Sequence, residues 1–373
     1  MLQNKIYQNY YLEIVKTFFI IVLALSLIAL TVRAVNFLEL IVDNGYPLIT
    51  YFKYSFLNLF GIVAKFIPLA FFISLIIFIV KHNDDSEFII LWTSGVKKIQ
   101  LVNLVLLSSI SILIFYLFLS IILTPYALNK SRTLLSKDQL NSFLPTIRSQ
   151  QFSDSFKGFT FIVDKKVNNE IENIFLHDTG KNLSRFSSNV SNVSSTTIIA
   201  EKGIVNNRNL FLINGQIIST KIDNVEVVNF EQLDINLGSL SSSTIKIPKL
   251  QETSTLQLLS CFFDDLKDAR ICKKDTLEEI IPNLIRRIIL PFYIPVVALL
   301  CSFLLIKNNI FFIDKFLVFT ISFLLLVFTE LFIRYTGVNY FLRTFYILTP
   351  FVSILIFYLI LMAKFKKKIK VYG

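Results

Sequence analysis

The sequence predicts a polytopic α-helical membrane protein with six transmembrane helices and an inserted all-β domain. Of its 373 residues 54% are apolar and only 17% are charged, whereas a soluble domain carries about 25% charged residues. Six apolar stretches are each long enough to cross about 30 Å of hydrocarbon as a helix. A long polar block with short β-branched and aromatic runs separates the third stretch from the fourth. This composition excludes a cytosolic enzyme, a disordered protein and a coiled coil.

The six predicted spans cover about residues 18–41, 56–80, 101–126, 288–306, 316–333 and 345–363. The first span resembles a secretory signal in part, because Arg33 interrupts its apolar run. The run resumes at Ala34 without a small-residue cleavage site, and five more spans follow. A retained first helix is therefore predicted.

The net charge of +11 is interpreted as a topological signal. Lysines concentrate in one set of short loops, at Lys81, Lys97 and Lys98, and in the tail from Lys364 onwards. The opposite short loops hold only Lys53, Arg334 and Arg343. The positive-inside rule therefore places both termini in the cytoplasm. The basic tail is interpreted as an anchor on anionic lipid rather than as a nucleic-acid patch.

The polar block, about residues 127–282, is predicted to form the inserted domain on the outer side of the membrane. Short strands are predicted to begin near Phe159, Ile174, Thr196, Leu210 and Val225. Turns rich in Asn, Asp, Gly and Ser separate them. Regular spacing without intervening helices favours a sandwich, a jelly roll or a partial barrel. The predicted layout is residues 1–126, 127–282 and 283–373, with three spans on each side of the β domain.

No catalytic or metal-binding constellation is predicted. The two histidines, His82 and His177, fall on opposite sides of the membrane. Cys261 and Cys272 flank a stretch that is predicted to be helical, where eleven positions would separate their Cα atoms by about 16 Å, beyond disulfide reach. Cys301 lies within a span. The sequence contains no CxxC, HExxH or Walker A motif, so no cofactor is expected on this chain and any ATP hydrolysis is assigned to a partner.

Ionisable residues in the outer halves of the spans are the candidate ligand-binding groups. They are Arg33 and Glu39 in the first span, Lys65 in the second, Arg286 and Arg287 in the fourth, and Glu330 and Arg334 in the fifth. Charge inside a membrane is costly, and outer cations run against the positive-inside bias. We therefore predict that an anionic headgroup, such as a phosphate, is bound by Arg33, Lys65, Arg286 and Arg334. The alternative is that these side chains snorkel to the interface or pair internally, as Glu330 and Arg334 could at i,i+4 spacing.

The cytoplasmic loop after the second span is the second candidate site. Its acidic residues 84–85 precede a short predicted helix, and Gly95 offers a C-terminal stop. The helix would present Phe88, Leu91 and Trp92 together. Such a helix could lie on the bilayer. Its acidic start and the lack of lysine on its polar face favour docking into a partner protein.

The order of three spans, a β domain and three spans resembles the LptF/LptG permease family of lipopolysaccharide exporters, and three local motifs do as well. Residues 86–95, Ser-Glu-Phe-Ile-Ile-Leu-Trp-Thr-Ser-Gly, resemble the family's coupling helix. The strand pair at 198–203 and 210–215 resembles part of its jellyroll. The segment 283–291 resembles the start of its fourth span, although Asn283 stands where many members carry an acidic residue.

The resemblance implies a function and a set of partners. It implies the permease subunit of an ABC transporter in the bacterial inner membrane, with a periplasmic β-jellyroll domain, that exports lipopolysaccharide. Two such permeases would form a heterodimer whose cavity is lined by the first and fifth spans. The other implied partners are an LptB-type ATPase dimer that holds ATP and Mg, an LptC-type single-span jellyroll protein and an LptA-type periplasmic bridge. The lone arginine of the first span favours the LptF type over the LptG type.

The resemblance also implies residue roles. Lipid A phosphates would meet Arg33, with Lys65 or Arg286. The ATPase would receive the coupling helix, whose assigned residues are Glu87, Phe88, Leu91, Trp92 and Gly95. The jellyroll would pass acyl chains along its apolar interior. Two other classes stay open, a membrane-bound sensor and a lipid-modifying transferase with a periplasmic β domain; the lack of a His/Asp or carboxylate pair on a common face argues against the transferase.

Overall fold

The computed structural model describes residues 2–38, 47–139, 149–156, 158–167, 169–179, 193–206, 209–221, 225–236, 249–262, 272, 277–306 and 311–369. The chain forms two compact units. The helical unit comprises Met1–Thr31, Asn58–Asn129 and Lys249–Gly373, and the second unit comprises Val32–Leu57 and Lys130–Pro248. The second unit contains the β-sheet.

The helices are α1 (Leu2–Phe37), α2 (Leu48–Asp84), α3 (Glu87–Thr93), α4 (Lys98–Phe118), α5 (Thr124–Gln139), α6 (Thr255–Ser260), α7 (Leu277–Ile288), α8 (Tyr293–Ser302), α9 (Phe311–Tyr335) and α10 (Tyr340–Ile369). Short π and 3-10 turns, at Leu119–Leu123 and Leu290–Phe292, join α4 to α5 and α7 to α8. Within the described residues six helical segments are long and apolar enough to cross a membrane. They are Lys5–Phe37, Leu48–Asp84, Lys98–Leu135, Leu277–Leu305, Phe316–Tyr335 and Tyr340–Phe365, and they confirm the predicted six spans.

The fourth span forms the centre of the helical unit. In its most apolar window 72% of the residues are buried within the protein, compared with 17% in the first and sixth spans. Its residues Val297, Ala298 and Leu299 are fully enclosed, as are Phe71 and Phe72 of α2. The apolar side chains of the first, fifth and sixth spans therefore face outwards, where lipid or a partner protein can cover them.

The described strands form one antiparallel meander of six strands in the order β1 to β6. They are β1 (Ser153–Phe156), β2 (Phe159–Val167), β3 (Glu170–Asp178), β4 (Val193–Asn206), β5 (Asn209–Lys221) and β6 (Val225–Asn236). One face of the sheet buries an apolar cluster drawn from β2 to β6, including Phe161, Leu176 and Leu210. This antiparallel insert between the third and fourth spans confirms the predicted fold class.

A crease crosses the sheet where the inward-facing residues change phase. In β4 Ala200 is buried, the next two residues are exposed, and Gly203 is again buried. The strand pairing places Asp164, Asn173, Glu201, Asn214 and Glu231 in one row along this crease. Asn173 and Asn214 have φ of 51°, the left-handed region that asparagine tolerates better than most residues. The alternation of buried and exposed residues is therefore interrupted at the same level in neighbouring strands.

The pKa values of two groups near the crease are lowered, one by hydrogen bonds and the other by burial. Gln150 and Asn173 donate hydrogen bonds of 3.0 and 3.3 Å to the carboxylate of Asp164. These bonds stabilise the ionised form and hold the pKa of Asp164 below its usual value. Lys166 follows on the inward side, and its partial burial lowers the pKa of its ammonium group.

The prediction that Cys261 and Cys272 are too far apart for a disulfide is wrong. Their Cα atoms lie 5.3 Å apart and the two sulfurs are bonded. The prediction assumed a helix through both cysteines, but α6 ends at Ser260. Cys261 is buried beside Leu258 of α6 and Ile280 and Leu284 of α7, so the disulfide lies where these two helices pack.

Candidate functional site

Three of the four predicted headgroup ligands come together in one pocket of the helical unit. Lys65 of α2, Arg286 of α7 and Arg334 of α9 line a cavity of 360 Å³, together with Glu330 of α9. The remaining lining is apolar except for two hydroxyl groups. Three cations and one carboxylate leave this cationic pocket with a net charge of +2. Such a pocket can bind a small anion and place an apolar substituent against its walls.

Glu330 pairs with Arg286 rather than with Arg334. Nη2 of Arg286 donates to Oε2 of Glu330 at 2.9 Å, across 44 positions of sequence. Nε of Arg286 is buried and has no acceptor among the described atoms. Within the described part of the chain Arg334 has no carboxylate within salt-bridge distance, and its side chain is exposed. The pocket therefore retains guanidinium donors that no described side chain satisfies.

Arg287, the neighbour of Arg286, serves a different purpose. It is 6% exposed and donates four hydrogen bonds, at 2.9 to 3.1 Å. The acceptors are the carbonyls of Leu250, Gln251 and Thr253 and the hydroxyl of Thr255. We call the segment from 249 to 255 the connector, because it leads from the second unit into the helical unit. Arg287 thus fixes the connector to α7 and is not available to a ligand.

The α7 sequence contained a signal for this division of roles. Ile280, Leu284 and Arg287 follow at i, i+4 and i+7, which is the periodicity of one helix face. Ile280 and Leu284 are buried, and Arg287 continues the same buried stripe. The sequence analysis selected Arg286 and not Arg287 as a headgroup ligand, but it gave Arg287 no structural role.

Arg33, the fourth predicted ligand, lies on α1 with an exposed side chain. It belongs to the part of the chain assigned to the second unit. Glu39, the other ionisable residue predicted in this span, lies outside the described residues.

Helix α3 is the short helix predicted after the second span. It runs from Glu87 to Thr93, and Gly95 follows with a φ of 92°. Gly95 and Val96 donate their amides to the carbonyls of Trp92 and Leu91, which ends the helix as predicted. Ser86 occupies the N-cap position, but its side chain makes no cap hydrogen bond.

The structure corrects which side of α3 is available to a partner. Phe88 is 1% exposed and belongs to the core of the helical unit, and Leu91 and Trp92 pack against the same core. The exposed apolar residues are Ile89 and Ile90, at 49% and 65%. Phe88, Leu91 and Trp92 do lie together, but they attach the helix to its own protein. The reason is that the core side of so short a helix must carry its largest apolar side chains.

Glu87 stands at the start of α3 with a half-exposed side chain. Its Oε2 accepts a hydrogen bond of 3.2 Å from the hydroxyl of Tyr10 and lies 3.4 Å from Nε2 of His82. Lys5 and Asn9 of α1 line a groove of 430 Å³ beside it. The sequence carries no short-range signal for these contacts, because α1 and α3 are separated by the whole of α2.

A second cavity adjoins the cationic pocket. It has a volume of 450 Å³, lies between α9 and α10, and is lined almost entirely by apolar side chains such as Phe328 and Phe345. Tyr293 and Thr329 line both cavities. The helical unit therefore places a cationic and an apolar cavity side by side on α9.

Comparison with known protein families identifies the chain at this point. The model of the family described as lipopolysaccharide export system permease LptF/LptG matches residues 10–364, which cover the sheet and nearly all of the six spans. The chain belongs to the LptF/LptG permease family. No curated protein matches it. As an LptF/LptG permease it is a multi-pass membrane protein of the lipopolysaccharide export system, with the cationic pocket and α3 as its candidate functional regions.

Proposed function

We propose that this permease is the membrane subunit of an ABC transporter that extracts lipopolysaccharide from the outer leaflet of the inner membrane. ATP would be hydrolysed on a separate subunit, and the lipid would pass to a periplasmic jellyroll bridge. The observation that carries this proposal is the convergence of Lys65, Arg286 and Arg334 on one pocket beside an apolar cavity.

The orientation supports the placement of that pocket. Lysines at Lys81, Lys97 and Lys98 and in the tail lie at the end of the bundle that carries both termini, so this end is cytoplasmic by the positive-inside rule. If successive spans cross in alternate directions, Arg286 near the start of the fourth span and Arg334 near the end of the fifth would stand at the other end of the bundle. The cationic pocket would thus face the outer leaflet, where lipopolysaccharide headgroups stand.

The chemistry of the pocket suits a phosphate group. Guanidinium groups match the oxygens of a phosphate with paired hydrogen bonds, and an ammonium group adds a compact charge. Arg286 uses one donor on Glu330 and keeps others, and Arg334 has no carboxylate partner among the described residues. An acyl chain of the same lipid would occupy the apolar cavity between α9 and α10. Arg33, exposed on α1, would be a separate contact for an anionic group of lipopolysaccharide.

Helix α3 would couple the permease to ATP hydrolysis. It lies at the cytoplasmic end, follows the second span and exposes Ile89, Ile90 and half of the Glu87 side chain. We propose that these three residues, rather than the buried Phe88, enter a groove of an LptB-type ATPase dimer that binds ATP and Mg. The remaining proposed partners are a second LptF/LptG-type permease, an LptC-type jellyroll protein and an LptA-type bridge.

Lipid binding can be tested with neutral variants of the pocket. Arg286→Gln and Arg334→Gln, in the assembled complex in nanodiscs, should each lower lipopolysaccharide affinity about tenfold, since a hydrogen bond to a charged group contributes about 1.5–3 kcal/mol. Arg343→Gln is the matched control, because Arg343 stacks on Tyr340 outside the pocket. Equal affinity of all three variants and the wild type would remove the pocket from the lipid path.

Coupling can be tested separately. Glu87→Ala should abolish lipopolysaccharide-dependent stimulation of the partner's ATPase activity while lipid binding in nanodiscs is retained. Asp85→Ala removes an exposed carboxylate just before α3 and should leave stimulation unchanged. Normal stimulation of the Glu87→Ala complex would refute the role of this carboxylate.

A further inference from the structure

His82 is an enclosed ionisable side chain at the end of the bundle where α1 begins and the described part of α10 ends. It is 2% exposed, although it lies in the last turn of α2. Aromatic rings surround its imidazole: Phe78 at 4.4 Å, Tyr10 edge-on at 4.8 Å and Phe88 stacked at 5.7 Å between centroids. These rings come from α1, α2 and α3, so the imidazole stands at the junction of three helices.

The polar contacts of His82 determine how many protons the site must hold. Nδ1 lies 2.9 Å from the carbonyl oxygen of Phe78, and a carbonyl can only accept, so Nδ1 carries a proton. Nε2 lies 3.2 Å from Oε2 of Glu13 and 3.4 Å from Oε2 of Glu87. A neutral imidazole would direct the lone pair of Nε2 at two carboxylate oxygens. With both carboxylates ionised, the arrangement is attractive only when a second proton lies on Nε2, between it and the two oxygens.

The neighbouring charges agree with this proton count. Lys81 donates to Oε1 of Glu13 at 2.8 Å, which satisfies the other oxygen of that carboxylate. Tyr10 donates to Oε2 of Glu87 at 3.2 Å. Two carboxylates then face one ammonium and one imidazolium, a balanced set. Among the described residues, Tyr10, Glu13, Lys81 and Glu87 contact the imidazole or one another. Lys5 of α1 lines the groove beside Glu87, and Asp84 and Asp85 follow His82 in the chain.

We infer that His82 is a positioning residue whose second proton holds α3 against α1. The imidazolium bridges Glu13 and Glu87, and loss of that proton would turn two attractive contacts into two repulsive ones and release the start of α3. Oε2 of Glu87 contacts both the hydroxyl of Tyr10 and Nε2 of His82. These two contacts fix the orientation of the carboxylate. The inference deepens the proposed coupling role of α3, and it rests on that role only for its functional consequence.

The proton count can be measured directly because the chain has only two histidines. Ring-¹⁵N-histidine spectra of the full chain in nanodiscs should show both nitrogens of His82 protonated while α3 is docked. His177, which contacts the hydroxyl of Thr197 in the β-sheet, supplies the internal control signal. A His82 signal with an unprotonated Nε2 in the docked state would overturn the inference.

The consequence for α3 can be followed with a spin label at Ile90→Cys, an exposed position, since the other cysteines are disulfide-bonded or buried. The label should become more mobile once the pH is high enough to remove the Nε2 proton, as read from the ring-¹⁵N spectra. His82→Gln should abolish this pH dependence, whereas His177→Gln should retain it. If the mobility of the label in the wild type does not change with pH, the second proton of His82 does not hold α3 against α1 and the inference is refuted.

Three further outcomes can be distinguished from one another. If EDTA at constant pH mobilises the label, a divalent cation rather than a proton bridges the three side chains, and the inference is overturned. If the Nε2 proton and the mobility change are both observed but Glu87→Ala leaves ATPase stimulation intact, the inference about His82 holds and the proposed coupling role of Glu87 fails. If His82→Gln does not fold, the wild-type spectra still decide the proton count.

Discussion

Replacing Arg287 by methionine tests whether one buried guanidinium holds the connector to the fourth span. Methionine keeps most of the apolar stem of arginine but removes the guanidinium group that donates the four hydrogen bonds. The carbonyls of Leu250, Gln251 and Thr253 and the hydroxyl of Thr255 would lose their partner. Arg287→Met therefore removes polar contacts while it changes packing little.

The magnitude follows from the exposure of these acceptors. Each hydrogen bond to a charged donor contributes about 1.5–3 kcal/mol, and a buried acceptor left alone costs about 1–3 kcal/mol. Thr253 and Thr255 are buried, whereas Gln251 is exposed and can recover a bond to water. Removal of the charge also ends the desolvation cost of a buried guanidinium. The expected loss is about 3–5 kcal/mol, which corresponds to about 10 °C in apparent Tm for a helical unit of this size.

The assay is the fraction of monodisperse protein that survives heating in detergent, measured by size-exclusion chromatography. Arg286→Met is the matched control, since the adjacent arginine makes one half-exposed ion pair whose loss costs about 0–1 kcal/mol. Arg287→Lys should fall between, because an ammonium cannot reach all four acceptors. If Arg286→Met and Arg287→Met melt at the same temperature, the four hydrogen bonds do not stabilise the connector and the reasoning fails.

Three shorter predictions concern other parts of the chain. Gly337→Ala should lower thermal stability in the same assay, because a Cβ there would collide with a backbone carbonyl of α7, whereas Gly61→Ala meets only ordinary contacts and should melt like the wild type; equal losses would contradict the close approach. Since its folded pKa is depressed, Asp164 stabilises the sheet above its unfolded pKa of about 3.9, and this contribution disappears as the pH falls through the folded value. Asp164→Asn should therefore reduce the loss of amide protection, relative to the intrinsic exchange rate, that acid causes in β2 and β3, and an unchanged acid response would exclude this carboxylate. Cys261 and Cys272 should resist maleimide until a reductant is added, and mass-spectrometric labelling without reductant would disprove their bond.

The membrane architecture could be predicted because it depends on local composition. A run of about 20 apolar residues must form a helix in a bilayer, since no water is present to satisfy the backbone. The β-branched and aromatic runs from Phe159 onwards, separated by turn residues, predicted strands for the same local reason. Gly95 predicted the end of α3, because few other residues accept its backbone conformation.

Pairing across the chain could not be predicted. Glu330 has Arg334 at i+4, yet its partner is Arg286, 44 positions away. Cys261 and Cys272 looked separated only because a helix was assumed between them. At Asn173 a left-handed backbone conformation interrupts the alternation of buried and exposed residues. The pattern of apolar residues in the sequence does not reveal this conformation.

The sequence by itself thus determined the number of spans, the inserted β domain and the residue types of the cationic pocket. The tertiary structure alone decided that Glu330 pairs with Arg286, that Arg287 holds the connector, and that His82 meets Glu13 of α1 as well as Glu87 of α3. The physical reason is the distance in sequence over which each feature is set. A membrane span and a helix face are defined by residues that are near neighbours in sequence, whereas the partner of a charge depends on how distant helices pack.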